Sequence, residues 1–398
     1  MWKFILEILE RETNMNVAVA HHSLNIPGGA ERLCLVVIEA LRKRGHDVSL
    51  ITVEKTDWNL IQKNFGMVVK PNKEEYITRS RVSKNLLSIP IASTYFLTYI
   101  MQLLANKSKQ KHDLIVNTFG DVINSIADLT YVHFPLRAAL ELSQIPAFSN
   151  KSRWWAIAPL YDLAVSLLDK FSPGALLTNS KFMQEIIKNF LHRNSMVIYP
   201  PVNVETLSSQ SFRHRKEGYT VAIAASYTPK RHLEQVPLIA KYTKSAKFVV
   251  MGKADEYSVP TLRKLKEQIS AFHVKDRITI LTNVPIDKFL EIFLRAKVYL
   301  HIMPYDHFGI SVVEGMASGC VPVVHRSGGP WLDILDGRQG EYGFSYATAE
   351  EAASYIDTLV TDENSRNKVA SRAFHRAKKF DRAVFMERMV DVVERVVS

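Results

Sequence analysis

The chain has 398 residues, of which 47% are hydrophobic and 23% charged; that is long enough for two α/β domains with substantial cores and too apolar for a disordered chain. Its 51 basic and 40 acidic residues give a net charge of +11, and positions 61–111 alone hold nine Lys or Arg against two Glu. Such a face suits anionic lipid, a polyanionic substrate or nucleic acid, but no nucleic-acid motif accompanies it. The only cysteines, Cys34 and Cys320, lie in apolar runs, so neither a disulfide framework nor a zinc cluster is indicated, and a reducing compartment is expected.

Residues 1–14 mix Trp2, Phe4, Ile5, Ile8 and Leu9 with Lys3, Glu7, Glu10 and Arg11. They lack the pattern of a signal peptide and are too short to span a bilayer. They read as a peripheral extension, with a membrane-surface helix as the alternative. Residues 16–20 form an apolar strand; the run His21 to Arg32, HHSLNIPGGAER, then gives a glycine turn, and a helix follows over 30–44. Strand, glycine turn and long helix make half of a nucleotide-fold unit. Further strands are expected at 47–53 and 65–70. Residues 86–105 carry no charge, yet Pro90, Ser88, Ser93, Thr94, Thr98 and Gln102 argue against a membrane span. A buried or interfacial helix fits better, since the strand at 113–117 needs a crossover before it. Its basic flanks, Arg81, Lys84, Lys107, Lys109 and Lys111, would suit docking on an anionic leaflet.

The stretch 129–135, LTYVHFP, places His133 at the C-terminal end of a strand, the edge at which doubly wound sheets bind ligands. Residues 153–170 read as an apolar helix led by Trp154 and Trp155, which suits core packing or contact with a membrane interface. Strands at 175–180 and 196–202 close the first half. Pro200 and Pro201 stiffen the exit, and the polar stretch with Ser208, Ser209, Gln210 and Ser211 puts a domain boundary within 200–216.

The second half opens with a strand at 219–225 and then Lys230 and Arg231, cations that in a phosphate-transfer or glycosyl-transfer cleft would neutralise a leaving diphosphate. Strands follow at 246–252, 277–281 and 298–302, with Asn283 and Val284 just past the second of these. The run 306–330, DHFGISVVEGMASGCVPVVHRSGGP, organises the rest. A polar turn hands over at Phe308 and Gly309 to apolar residues at helical spacing, Ile310, Val313, Met316 and Ala317. Gly319 ends that helix, 321–325 is a buried strand, and Ser327 to Pro330 make a second glycine turn. Unsatisfied amides at such a helix start favour an anion, and the acceptor carboxylates of Asp306 and Glu314 suit sugar hydroxyls. Helices at 349–360, 363–379 and 380–396 close the chain, which has no internal repeat.

The run from Asp306 to Glu314 resembles the paired-acid signature of glycosyltransferase family 4, the retaining nucleotide-sugar transferases of the GT-B fold. Within that family it is especially similar to the α-1,2-mannosyltransferase branch of lipid-linked oligosaccharide assembly. The resemblance implies two Rossmann-like domains facing across a cleft. One is an acceptor-side domain at 15–203, onto which the terminal helix 380–398 packs back, and the other a nucleotide-sugar domain at 204–379. PGGAER is similar to the family's N-terminal glycine loop, which puts Gly28 and Gly29 at the donor phosphates. YVHFP is similar to its YVH.P segment, which puts His133 near the donor sugar. Phe308, Gly309 and Ile310 would meet the diphosphate, Glu314 the ribose hydroxyls and Asp306 the sugar, while Asn283 and Val284 would reach the base through their backbone. Two departures stand out: the first acid is Asp306 where the family has Glu, and Ser226 stands where it has Arg.

The implied reaction transfers a sugar with retention, with no metal or other cofactor required because Lys230 and the helix start at Gly309 face the diphosphate. The donor expected is GDP-mannose, with a UDP-sugar such as UDP-glucose open. The acceptor expected is a polyprenyl-linked oligosaccharide or other glycan at the cytoplasmic membrane face, with peripheral membrane contact and no nucleic acid. Two other readings are a sugar-nucleotide isomerase on the same architecture and a non-catalytic membrane-associated subunit.

Overall fold

A computed structural model describes residues 14–26, 28–66, 68–78, 106–120, 127–135, 174–211 and 220–397. The expected N-terminal extension and the helices at 86–105 and 153–170 lie outside these residues. The chain divides into two compact units, one of Met1–Asn179, Met183–Pro201 and Ala383–Ser398, the other of Ser180–Phe182 and Val202–Arg382.

The first unit is built on a parallel seven-stranded sheet. Its strands are β1 (Asn16–Ala20), β2 (Asp47–Glu54), β3 (Lys73–Thr78), β4 (Leu114–Asn117), β5 (Leu129–Val132), β6 (Ala175–Thr178) and β7 (Met196–Val197), in the order β3-β2-β1-β4-β5-β6-β7. Helix α1 (Gly29–Arg44) follows β1 and buries an almost unbroken run from Leu33 to Leu41. Such burial is expected of a crossover helix covering a parallel sheet. It stops at Gly45, whose φ of 103° lets its N–H return to the carbonyls of Leu41 and Arg42.

The strand expected at 65–70 is not there. Asp57 accepts the N–H of Leu60 at 3.1 Å and starts helix α2 (Trp58–Phe65), whose Trp58, Ile61 and Phe65 turn toward the core. The strand comes later, as β3 at the sheet edge. Its sequence KEEYIT has the charge and exposure of an edge strand and no apolar alternation to reveal it. The terminal helix, α11 by chain order (Arg382–Val397), inserts Phe385, Met389, Val392 and Val393 into this same core. That is the spacing of one helical face, and Arg44 to Glu394 at 2.7 Å holds its outer side.

In the second unit, β8 (Thr220–Ala224), β9 (Lys247–Gly252), β10 (Ile278–Thr282), β11 (Val298–His301), β12 (Val321–His325) and β13 (Phe344–Tyr346) form another parallel sheet in the order β10-β9-β8-β11-β12-β13. Helices α9 (Ala349–Thr361) and α10 (Glu363–Ala377) follow it. The polar stretch expected as a linker contains a helix, α4 (Val204–Ser211). Val204 and Leu207 are buried, and Ser208 and Ser209 turn their hydroxyls onto carbonyls of their own helix. This self-bonding lets serine sit in a helix that composition alone reads as coil.

Both sheets reverse strand order once, at β1/β4 and at β8/β11. Crevices at the carboxyl ends of strands flanking such a switch point are where open α/β sheets bind ligands.

Candidate functional site

At the β8/β11 switch of the second unit, the chain leaves β11 at His301, loops through Asp306 and enters α8 (Ile310–Ala317) at Gly309. Gly309 holds φ 93°, a left-handed conformation that suits glycine. The same loop is locked from beside it by the turn after β12. Ser327 Oγ accepts the Tyr305 N–H at 2.8 Å, and the Gly329 N–H donates to the Asp306 carbonyl at 2.8 Å. Phe308 is buried and meets Phe380 edge-on, with ring centroids 5.4 Å apart. The start of α8 is thus fixed by two glycine turns and an aromatic anchor, and its first amides precede the helical ladder and have no helical acceptor.

Asp306 lies inside this loop with its side chain largely covered. Its Oδ2 is 2.9 Å from His301 Nε2 and 3.8 Å from Arg231 Nη1. Burial alone would raise the Asp306 pKa; the hydrogen bond from His301 and the charges of His301, Arg231 and His307 outweigh it and hold the carboxyl well below its usual range. Arg231 is delivered by the 3₁₀ turn Pro229–Arg231 just past β8 and also reaches Met303 Sδ at 3.0 Å. Its charge therefore stands beside the Asp306 loop although Ser226 replaces the family's arginine. Lys230 occupies the same turn, and its side chain lies outside what is described.

Glu314 is half-buried on α8, close enough for its charge to act on Tyr299, whose hydroxyl meets Ser311 Oγ at 2.7 Å. Asn283 and Val284 lie just past the end of β10, three strands from β11. Asn283 exchanges two side-chain hydrogen bonds with the Ala254 backbone and gives its own N–H to the Gly252 carbonyl at 2.9 Å. It pins the turn after β9, so its amide is not a donor left over for a base. His301 was missed by the sequence reading, although it carries the signal that singled out His133, a histidine at the carboxyl end of an apolar strand.

The first unit's switch point gathers the other predicted residues. His133, just past β5, has Nε2 3.0 Å from the Thr118 carbonyl, and its own carbonyl accepts from Asn179 at 2.8 Å. Gly28 and Gly29 begin α1. Behind them lie the buried His21 and Glu31, with Nε2 to Oε1 at 3.6 Å. Burial opposes a charge on His21, but Cys34 and Glu31 outweigh it and raise its pKa, while burial and the charge of His21 lower that of His22.

Residues 204–376 match the family model described as glycosyl transferases group 1. This part of the chain is a glycosyl transferases group 1 domain. The group 1 domain contains Arg231, Asp306, Gly309 and Glu314, and the chain as a whole has the GT-B fold. It is 27% identical to the GDP-Man:Man(3)GlcNAc(2)-PP-Dol alpha-1,2-mannosyltransferase of Neurospora crassa, over 98% of this chain and 82% of that protein. It is 28% identical to the Mus musculus protein of the same name, over 58% of this chain but only 52% of that one. Among solved structures, Anabaena HepE in complex with UDP-glucose superposes with a TM-score of 0.69 over 96% of this chain and 100% of HepE, at 16% identity. No helix among the described residues is long and apolar enough to cross a membrane.

Proposed function

We propose that the chain is a retaining mannosyltransferase that moves mannose from GDP-mannose onto a polyprenyl-linked oligosaccharide at the cytoplasmic membrane face. The observation that carries this reading is the fixed start of α8, with Arg231 and Asp306 on one side and Glu314 further along the same helix. A helix start presents amides and positive potential to a diphosphate. In this reading Arg231 and Lys230 add the cationic charge that a leaving diphosphate needs, in place of a required metal. Glu314 accepts hydrogen bonds from the ribose hydroxyls. The His301–Asp306–Arg231 contact keeps Asp306 ionised, so it can accept from a sugar hydroxyl through Oδ1, which makes no hydrogen bond among the described residues. The choice of mannose and of a lipid-linked acceptor is supported by the N. crassa and mouse relatives, and the basic 61–111 segment suits docking on anionic lipid.

The test is a thermal-shift and product assay against GDP-mannose, UDP-glucose, UDP-N-acetylglucosamine, GDP and UDP at matched concentrations, with and without EDTA. A ligand at one hundred times its Kd adds about 2.7 kcal/mol of stability. Selective stabilisation by GDP and GDP-mannose, with EDTA-indifferent mannose transfer to a polyprenyl-linked glycan, is the expected result. Selective stabilisation by a uridine nucleotide reassigns the donor, and no shift with any nucleotide refutes the enzyme reading.

A further inference from the structure

The strongest chemistry outside the donor-binding features lies beneath the glycine turn of the first unit. His21 is fully buried and Glu31 nearly so. Thr118 Oγ1 donates to the Ala20 carbonyl at 3.1 Å, which commits its one hydrogen. The 3.0 Å contact between Thr118 Oγ1 and His21 Nδ1 therefore has His21 as the donor. With Nδ1 carrying a proton, Nε2 of a neutral His21 is a lone pair. It faces Glu31 Oε1 at 3.6 Å, too far for a hydrogen bond, and has no hydrogen-bond partner among the described residues. Two acceptors turned toward each other in a dry place need a cation between them.

His22 supplies a third ligand atom. Consecutive residues of a strand point to opposite faces, but β1 ends at Ala20, and the His21 and His22 rings lie on one side with centroids 5.1 Å apart. His22 Nδ1 is buried and also lacks a hydrogen-bond partner among the described residues. The three ligand atoms lie within 4.8 Å of one another. Two ligands each about 2.1 Å from a tetrahedral ion stand about 3.4 Å apart. The His21–Glu31 gap already fits, and a small ring rotation of the half-buried His22 brings the third into range. Gly28 makes room for the carboxylate, since a Cβ there would stand 2.7 Å from Glu31 Oε2. Phe119, 4.2 Å from the His22 ring, walls the apolar side.

We propose that His21, His22 and Glu31 bind one divalent ion of the zinc class, fastening the end of β1 to the first turn of α1. Two imidazoles and a carboxylate are a borderline donor set that suits zinc over magnesium or calcium, with a fourth position for water on the His22 side. Thr118 orients His21 as an outer hydrogen-bond partner orients a metal-binding imidazole. This site neither belongs to the donor-binding machinery of the second unit nor depends on the transferase reading.

The competing occupant is a proton, which would leave a His21 imidazolium facing Glu31. The untagged full chain, stripped with chelator, is titrated with Zn²⁺ against a chromophoric competitor and separately with Co²⁺ by visible absorption. One tight equivalent is expected, with Co²⁺ d–d bands of a low-coordinate N,O site. His22→Gln and Glu31→Gln should each abolish those bands and weaken Zn²⁺ at least tenfold, and Thr118→Val should weaken it by about 10- to 100-fold. His22→Gln keeps the test sound if changes at the buried positions impair folding. No tight equivalent, or equal Zn²⁺ affinity in wild type and a folded His22→Gln, overturns the proposal in favour of the proton.

Discussion

A methyl group added at Gly329 would test how the two glycine turns position the start of α8. A Cβ built there stands 2.4 Å from the His307 carbonyl oxygen and 2.7 Å from Phe308 Cα, where ordinary contact begins at 3.4 Å. The deficit is about 1 Å against backbone that cannot rotate away as a side chain could, and φ at Gly329 is an ordinary −60°. Gly329→Ala is therefore a purely steric push on the segment leading into α8. Overpacking of this kind costs about 1–3 kcal/mol. In a unit of this size that corresponds to a drop in Tm of roughly 2–12 °C. The displacement falls on His307 and Phe308, so nucleotide affinity should fall with stability, by tenfold or more. Gly337→Ala is the control. Its φ of 67° adds strain, but no atom lies within 4 Å of the new Cβ, so it should lower Tm and leave nucleotide affinity unchanged. Differential scanning calorimetry and calorimetric nucleotide titration on both variants decide the matter. Gly329→Ala with wild-type Tm and wild-type affinity would refute the packing argument.

Two further outcomes follow from the same loop. Because the folded Asp306 carboxyl titrates below its unfolded value of about 3.9, it contributes stability that is present above that pH and lost as pH falls through the folded value. Urea midpoints measured from about pH 6 down to pH 2 should fall more steeply for wild type than for Asp306→Asn, and equal slopes would show that the His301 contact does not stabilise the charge. Glu314→Ala removes a charged acceptor of the kind whose hydrogen bonds contribute about 1.5–3 kcal/mol. It should weaken nucleotide binding roughly 10- to 100-fold with little change in Tm, and retention of full binding and turnover would remove Glu314 from the site.

What the sequence determined about this protein is local. Ile310, Val313, Met316 and Ala317 repeat at helical spacing between Gly309 and Gly319, so α8 and the strand behind it were legible with nearly their observed ends. The same holds for β1 with α1, where an apolar strand runs into glycines and then a buried helical run. Tertiary structure decided wherever the cause lies far along the chain. The apolar look of 65–70 suggested a strand, yet the Asp57 cap and the core contacts of Trp58 and Ile61 made Phe65 the end of a helix. β3 was invisible because its partner β2, and not its own polar sequence, makes it a strand. The serines of α4 read as coil because their bonding to their own helix is not visible in composition. In the site, Asp306 and Glu314 stood out as residues, and His301 reaches Asp306 locally from the end of β11, but Arg231 reaches it only because β8 and β11 are neighbours in the sheet. His21, His22 and Glu31 meet locally, where β1 turns into α1, but their support from Thr118 is not local. β1 lies beside β4, which brings Thr118 to His21 across 97 positions of sequence, and no local periodicity encodes a separation of that length.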